Sequence, residues 1–362
     1  MIKLLIVDDS ALMRRQLMTV FQEAGGFEIR QARNGLEAVT ENREFKPDVV
    51  TLDINMPELD GLTALSLIMA ERPVAVVMVS SLTAQGALAT FEALNLGAVD
   101  YVAKPGGTIS LSMDAVKTEL ISKVRGAARA RLKGKTAGKA ESGPSLAQRL
   151  QNERRKTAAA ASSAAAQHKV VSDGLLLIGA STGGPRTLEM ILTDLPANFP
   201  WPVIVAQHMP AAFTKSFADR LNQCCPLAVT EAGHPMPVEP GNIYIGKGGA
   251  DMLLTARGGR LTVMPAPENP NFLWHPSVEL LGRSALERAK PAQVAAVMLT
   301  GMGYDGSDAF TEIKKRGGRT IAESEASCAV FGMPAELINK GGASIVLGAE
   351  KIAAQLNLWA GR

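Results

Sequence analysis

The sequence predicts an α/β protein built from two doubly wound parallel-sheet domains joined by a tether. Three observations carry that prediction. Short apolar runs alternate with amphipathic stretches over residues 1–120 and again from about residue 172, the pattern of buried parallel strands separated by helices. Between these halves, residues 126–169 are dominated by Ala, Lys, Arg, Ser and Gly, and no apolar stripe runs through them. The length, 362 residues, suits two or three domains with sizeable cores.

In the first half, residues 4–7, 48–52, 74–79 and 99–102 read as buried strands, with 28–32 as a weaker fifth. Helical spacing of Leu12, Leu17, Val20 and Phe21, and then of Leu36, Ala38, Val39 and Phe45, places helices between them. The tether follows. Residues 123–156 hold eleven basic and two acidic side chains, a local +9 in a chain of net charge +3, so the remainder sums to −6. Residues 157–166 contain seven alanines in ten positions. Such a segment cannot offset the entropy of ordering, and 123–171 is expected to be a flexible linker between domains at 1–122 and 172–362. In the second half, 175–178, 203–206 and 294–299 read as buried strands. Between 227 and 265, the runs Ile243-Tyr244-Ile245 and 252–254 sit among Gly and Pro signals, which predicts hairpins attached to the sheet.

Composition excludes several function classes. With 46% apolar and 20% charged residues the chain is globular, and its sixteen aromatic side chains are too few for a protein that stacks bases. No nucleic-acid partner is expected. Cys224, Cys225 and Cys328 show no Cys-x-x-Cys spacing, so neither a disulfide framework nor a zinc site is indicated. The first apolar run is cut off by Asp8 and Asp9, and no run approaches the roughly 18 residues of a membrane span. A cytoplasmic protein without membrane insertion is expected.

Functional residues of doubly wound sheets gather at the carboxyl ends of strands. In the first half those ends carry Asp8-Asp9, Asp53, Ser80 and Lys104-Pro105. Crowded carboxylates repel unless a cation neutralises them, and an all-oxygen set suits Mg²⁺. A carboxylate there can accept a phosphoryl group while the metal and Lys104 balance the added charge. The plainer alternative is that Asp9 or Ser10 merely caps the next helix. These residues, with the run Asp53-Ile54-Asn55-Met56-Pro57-Glu58-Leu59-Asp60-Gly61, resemble a response-regulator receiver domain of flavodoxin-like fold over residues 1–120. The resemblance implies that Asp53 is the phospho-acceptor. It further implies that Asp8, Asp9, Asp53 and the Asn55 carbonyl form the Mg²⁺ site, and that Ser80, Tyr101 and Lys104 relay the switch.

In the second half, Gly179-Ala180-Ser181-Thr182-Gly183-Gly184-Pro185 links a strand to a helical pattern. It lacks the Lys-Ser/Thr of a P-loop, so nucleotide binding is disfavoured. A serine on such a turn faces the sheet edge, beside helix N–H groups that stabilise an oxyanion. His208 ends the next strand, and Asp305 lies in Thr300-Gly301-Met302-Gly303-Tyr304-Asp305-Gly306 after another. A lone strand-end His is more often structural, but three such residues on one edge read as a nucleophile, a general base and its orienter. The order Ser…His…Asp is not that of an α/β-hydrolase. The implied reaction is acyl transfer to water.

These segments, with Gln207-His208-Met209-Pro210 and Glu325-Ala326-Ser327-Cys328, resemble the catalytic domain of CheB-type chemotaxis protein-glutamate methylesterases, Rossmann-like with added β-hairpins, over residues 173–358. The resemblance makes Ser181 the nucleophile, His208 the base and Asp305 its orienter, with the Thr182 and Met302 amides in the oxyanion hole. It implies a phosphorylation-activated esterase that hydrolyses glutamate methyl esters on methyl-accepting chemoreceptors and deamidates receptor glutamines, phosphorylated by a chemotaxis histidine kinase at receptor arrays. No cofactor is implied for the ester chemistry. Two departures from the family pattern, Gly246-Lys247-Gly248-Gly249-Ala250-Asp251 and Glu279 after Ser277-Val278, bear on substrate docking. A non-catalytic receiver-controlled adaptor is the alternative reading; a transcription factor would need a helix-turn-helix output that the second half does not offer.

Overall fold

The computed structural model describes residues 1–80, 84–104, 109–130 and 174–361, and these divide into two compact units. Most of the expected linker, and Pro105, lie outside the described residues.

The first unit holds β1 (Ile2–Val7), β2 (Phe27–Ala32), β3 (Val49–Asp53), β4 (Ala75–Ser80) and β5 (Asp100–Ala103) in one sheet of order β2-β1-β3-β4-β5. Every neighbouring pair is parallel. Strands β3, β4 and β5 are buried along their whole length, which is why they read as unbroken apolar runs, while β2 at the edge alternates and gave the weaker signal. Five helices separate or follow them: α1 (Ala11–Ala24), α2 (Gly35–Glu44), α3 (Gly61–Glu71), α4 (Ala84–Leu96) and α5 (Ile109–Ala127). Side chains of Ser10, Asn34 and Asp60 cap α1, α2 and α3 by accepting from the backbone amides of Met13, Glu37 and Thr63. The expected domain boundary at residue 122 falls inside α5. The helix continues to Ala127 because Val124 and Ala127 are fully buried, so those basic residues nearest its end, Lys123 and Arg125, belong to the helix rather than to a tether.

The second unit is built on a seven-stranded sheet of order β15-β14-β13-β6-β7-β10-β8, all of its pairs parallel. Its strands are β6 (Leu175–Ala180), β7 (Val203–Gln207), β8 (Ala228–Ala232), β10 (Asn242–Gly246), β13 (Val294–Met298), β14 (Arg319–Glu323) and β15 (Ile345–Leu347). The run Ile243-Tyr244-Ile245 is therefore not a hairpin strand, as expected, but an interior strand between β7 and β8, and its burial on both faces explains the uninterrupted apolar triplet. Residues 252–254 do form a hairpin: β11 (Asp251–Arg257) pairs antiparallel with β12 (Arg260–Ala266), and β12 with β9 (Met236–Pro237), in a small separate sheet. Helix Val278–Arg288 packs on the main sheet through Gly179, where an added Cβ would lie 2.5 Å from Val278 Cγ1. No helix among the described residues is long and apolar enough to cross a membrane.

The chain leaves β1 and β3 in opposite directions in the first sheet, and β6 and β13 in opposite directions in the second. Such reversals leave a crevice at the carboxyl ends of the two strands.

Candidate active site and acidic pocket

The crevice of the first unit collects acids. Asp8 ends β1 and is fully buried, Asp9 beside it is exposed, and Asp53 ends β3; one carboxylate oxygen from each lies within 4.8 Å of the others. Lys104, after β5, reaches across with Nζ 2.9 Å from Asp8 Oδ2 and 2.7 Å from Asp53 Oδ2. Burial pushes the Asp53 carboxyl above the ordinary aspartate range, against the pull of Lys104. Burial opposes the Lys104 charge too, but Asp53 and Asp8 outweigh it and hold the ammonium above its usual pKa. Ser10, not Asp9, caps α1, so Asp9 is not used up as a cap. Gly61 allows the loop after β3 to fold back, since a Cβ there would lie 2.0 Å from the Asp53 carbonyl oxygen.

Asn55 is exposed two residues beyond Asp53. Ser80 ends β4 with its hydroxyl 3.2 Å from the Gly86 carbonyl, and Tyr101 is buried with the Lys123 ammonium over its ring at 5.0 Å. Burial raises the Tyr101 phenol well above its ordinary pKa. Arg14, which the sequence did not single out, donates to the carbonyls of Asp8 and Asp9 at 2.8 and 3.0 Å and so fixes the acidic turn from helix α1.

In the second unit the three strand-end residues come to one edge. Ser181 follows β6, its amide donating to the Thr300 carbonyl at 3.0 Å. Helix Gly184–Thr193 then starts at Gly183, whose φ of 79° is open to glycine, without a side-chain cap. His208 follows β7, and its amide donates to the Ala180 carbonyl at 3.0 Å. Gln207 ties the two turns together, its Nε2 donating to the carbonyls of Ser181 and His208 at 3.0 Å each.

Asp305 Oδ2 lies 2.9 Å from His208 Nε2 and accepts from the Val278 amide at 2.6 Å, while Oδ1 accepts from Ser277 Oγ and the Glu279 amide at 3.0 Å each. Burial alone would raise this carboxyl. The His208 bond and the two amides outweigh it and hold Asp305 below the ordinary range. The acceptor at Nε2 fixes a proton on that nitrogen and leaves the lone pair on Nδ1, which is buried without a hydrogen-bond partner. Ser181 Oγ is therefore not bonded to it; such bonds are often long before substrate arrives.

Thr182 and Met302 adjoin this arrangement. Thr182 follows Ser181 on the same turn, and Met302 follows Gly301, where an added Cβ would lie 2.6 Å from Ser181 Cβ. Several supports were not visible in the sequence. Thr300 Oγ1 donates to the Thr182 carbonyl at 2.9 Å. Below it Glu323, fully buried at the end of β14, accepts from the Thr300 amide and from Ser327 Oγ at 2.8 Å each. The strand-end rule would have found Glu323 had residues 319–323 been read as a strand. The substitution at Glu279 has a structural role: its carboxylate accepts from the Ala309 amide at 2.9 Å and pairs with Arg283 at 2.8 Å. Asp251, in the other departing segment, is buried and holds His275 Nδ1 at 2.9 Å and the Ser277 amide at 3.1 Å.

Fold and geometry together define a class, a two-domain α/β protein with an acidic pocket bridged by a lysine in one sheet and a serine, histidine and aspartate edge in the other. Comparison with known proteins narrows it. Residues 4–114 match the response regulator receiver domain family, and residues 176–356 match the CheB methylesterase family. A protein-glutamate methylesterase/protein-glutamine glutaminase of Rhodospirillum rubrum is 53% identical over all of this chain and 97% of its own length. One of Thermotoga maritima is 41% identical over 98% of this chain and 97% of its own. The crystal structure of the Thermotoga maritima CheB methylesterase catalytic domain, at 42% identity, aligns over its whole length with 52% of this chain and a TM-score of 0.50. The chain belongs to the CheB methylesterase family and carries an N-terminal receiver domain.

Proposed function

We propose that the chain is a phosphorylation-activated protein-glutamate methylesterase and protein-glutamine deamidase acting on chemoreceptors, with Ser181, His208 and Asp305 as its catalytic residues. The observation that carries the reading is the His208 bond to buried Asp305 on the sheet edge that also bears Ser181. With its Nε2 proton held by Asp305, the ring takes the Ser181 proton at Nδ1 as the hydroxyl attacks the γ-carbonyl of a methylated glutamate. The amides of Thr182 and Met302 stabilise the oxyanion. Protonated His208 then returns its proton to the departing methanol, and a water deprotonated by the same nitrogen releases the glutamate. A receptor glutamine follows the same course, with ammonia as the leaving group.

In the receiver domain, Asp53 is the phospho-acceptor, with Asp8, Asp9, Asp53 and the Asn55 carbonyl as the Mg²⁺ site. The donor set fits that ion, since it is all oxygen and its three carboxylates converge within 4.8 Å. When bound, Mg²⁺ neutralises charge on the incoming phosphoryl group. Lys104, already on Asp8 and Asp53, supplies the second cation, and Ser80 and Tyr101 carry the change outward. The phosphodonor is a chemotaxis histidine kinase, and the site of action the cytoplasmic receptor array.

Methanol release from methylated receptor membranes, with and without a small phosphodonor, tests the reading. Release that rises with phosphodonor and vanishes in Ser181→Ala is expected. Absence of release by the phosphorylated wild-type protein would overturn it.

A further inference from the structure

We propose that Trp274 is a positioning residue for the ester chemistry, its indole face holding the His208 ring and stabilising the imidazolium formed when that ring accepts a proton. The inference rests on the role given to His208 above. The two rings are stacked, 5.5 Å between centroids and 3° between planes. That is within the roughly 6 Å over which a cation is attracted to an aromatic face, and Trp is the strongest such partner. Face stacking also suits proton transfer. His208 exchanges protons and hydrogen bonds through its nitrogens in the ring plane, as with Asp305 at Nε2, whereas the indole acts perpendicular to that plane.

The stack is built into the backbone. Gly303 has φ 94°, and an added Cβ would lie 2.7 Å from Trp274 Cζ2, so the loop that carries Asp305 approaches the indole as only glycine permits. Tyr304 packs edge-on against the other ring system at 5.3 Å and 84°. The segment bearing Trp274 is held by Asp251, through His275, and by Asp305, through Ser277. The titratable or charged groups on these surrounding elements are Asp305, which bonds His208 directly, the His275–Asp251 pair and Glu279, whose carboxylate is bonded to Ala309 and Arg283. Among the described residues, the indole is the aromatic ring that stacks on His208.

Trp274→Leu keeps apolar bulk and removes the aromatic face; Trp274→Phe keeps a face. In the leucine variant kcat is expected to fall by several-fold to about thirtyfold with KM little changed, the range of a cation–π contact. Losing a stabiliser of the charged form lowers the His208 pKa, so the rising limb of the pH profile moves to lower pH, by up to about one unit. The phenylalanine variant should recover most of both effects. An NMR titration of the His208 ring, which needs no turnover, carries the same expectation: a lower pKa in Trp274→Leu than in wild type. Equal ring pKa values would overturn the proposal whether or not the chain hydrolyses esters. Wild-type protein without esterase activity would instead overturn the functional reading.

Discussion

At the scale of the residue, chemistry is divided between two buried aspartates held in opposite directions. Asp305 is kept ionised by His208 and two amides, while Asp53 is pushed toward its neutral form by burial. Asp305 therefore contributes stability that is present at neutral pH and is lost only as pH falls through its lowered value. Ser181→Ala and His208→Ala are each expected to reduce methanol release by at least about 10²–10⁴, and the double variant by little more than either alone, because the residues act as a unit. Additive losses in that cycle would contradict cooperation. Asp53 behaves in the reverse sense. Its raised pKa means that folding disfavours the charged carboxylate, so Asp53→Asn should raise the thermal midpoint of the receiver domain at pH 7, with the gain shrinking as pH falls through the raised value, where the native aspartate also takes a proton. The same variant should abolish phosphodonor stimulation and leave basal methanol release intact. Calorimetry across that pH range, beside the stimulation assay, checks both.

At the scale of the element, the site depends on turns that only small residues can make. Gly301 lets the loop after β13 close against the serine turn, and its carbonyl accepts from the amides of Gly332 and Met333 at 3.0 and 2.9 Å. Gly301→Ala would place a Cβ 2.6 Å from Ser181 Cβ, and a displacement of about 1 Å at a nucleophile can cost about 10²-fold in rate. A loss of that order in kcat is expected with the seven-stranded core retained. Gly258→Ala is the control for its own β-turn, since it has φ 55° and open space around it: it should strain the β11–β12 hairpin slightly and leave kcat unchanged. Comparable losses in both variants would show that the effect is general destabilisation rather than placement of Ser181.

At the scale of the whole molecule, the chain divides into two compact units, and the proposed chemistry and its control are assigned to different ones. A fragment beginning at Gly174 contains the complete seven-stranded sheet and all three proposed catalytic residues, and the corresponding Thermotoga maritima domain is known as a crystal structure by itself. The fragment is expected to fold, to release methanol, and to be indifferent to phosphodonor. Chelating Mg²⁺ should remove stimulation of the full chain while leaving the fragment unaffected, because the ester chemistry is assigned to side chains and backbone amides without a metal. Steady-state assays of the two proteins, with and without chelator, check this. Stimulation of the fragment by phosphodonor would place the acceptor outside the receiver domain.

Much of this was determined by sequence alone. Continuous apolar runs at β1, β3, β4, β6, β7 and β13 fix buried parallel strands, and with the rule that function gathers at their carboxyl ends they single out Asp8, Asp53, Ser181, His208 and Asp305 before any coordinate is known. These signals are local: one strand and the few residues after it. Tertiary structure decided what depends on which strands become neighbours. Ile243-Tyr244-Ile245 reads the same as a hairpin strand or an interior one, and only its pairing with β7 and β8 makes it interior. Helix α5 runs on to Ala127 because burial of Val124 and Ala127 outweighs a basic composition. Glu323, Thr300 and Trp274 carry no local mark, since their roles come from partners twenty or more residues away across the sheet edge. Local pattern names the groups that can do chemistry; which ring covers His208, and which carboxylate lies under the catalytic loop, is set by long-range packing that no short window of sequence contains.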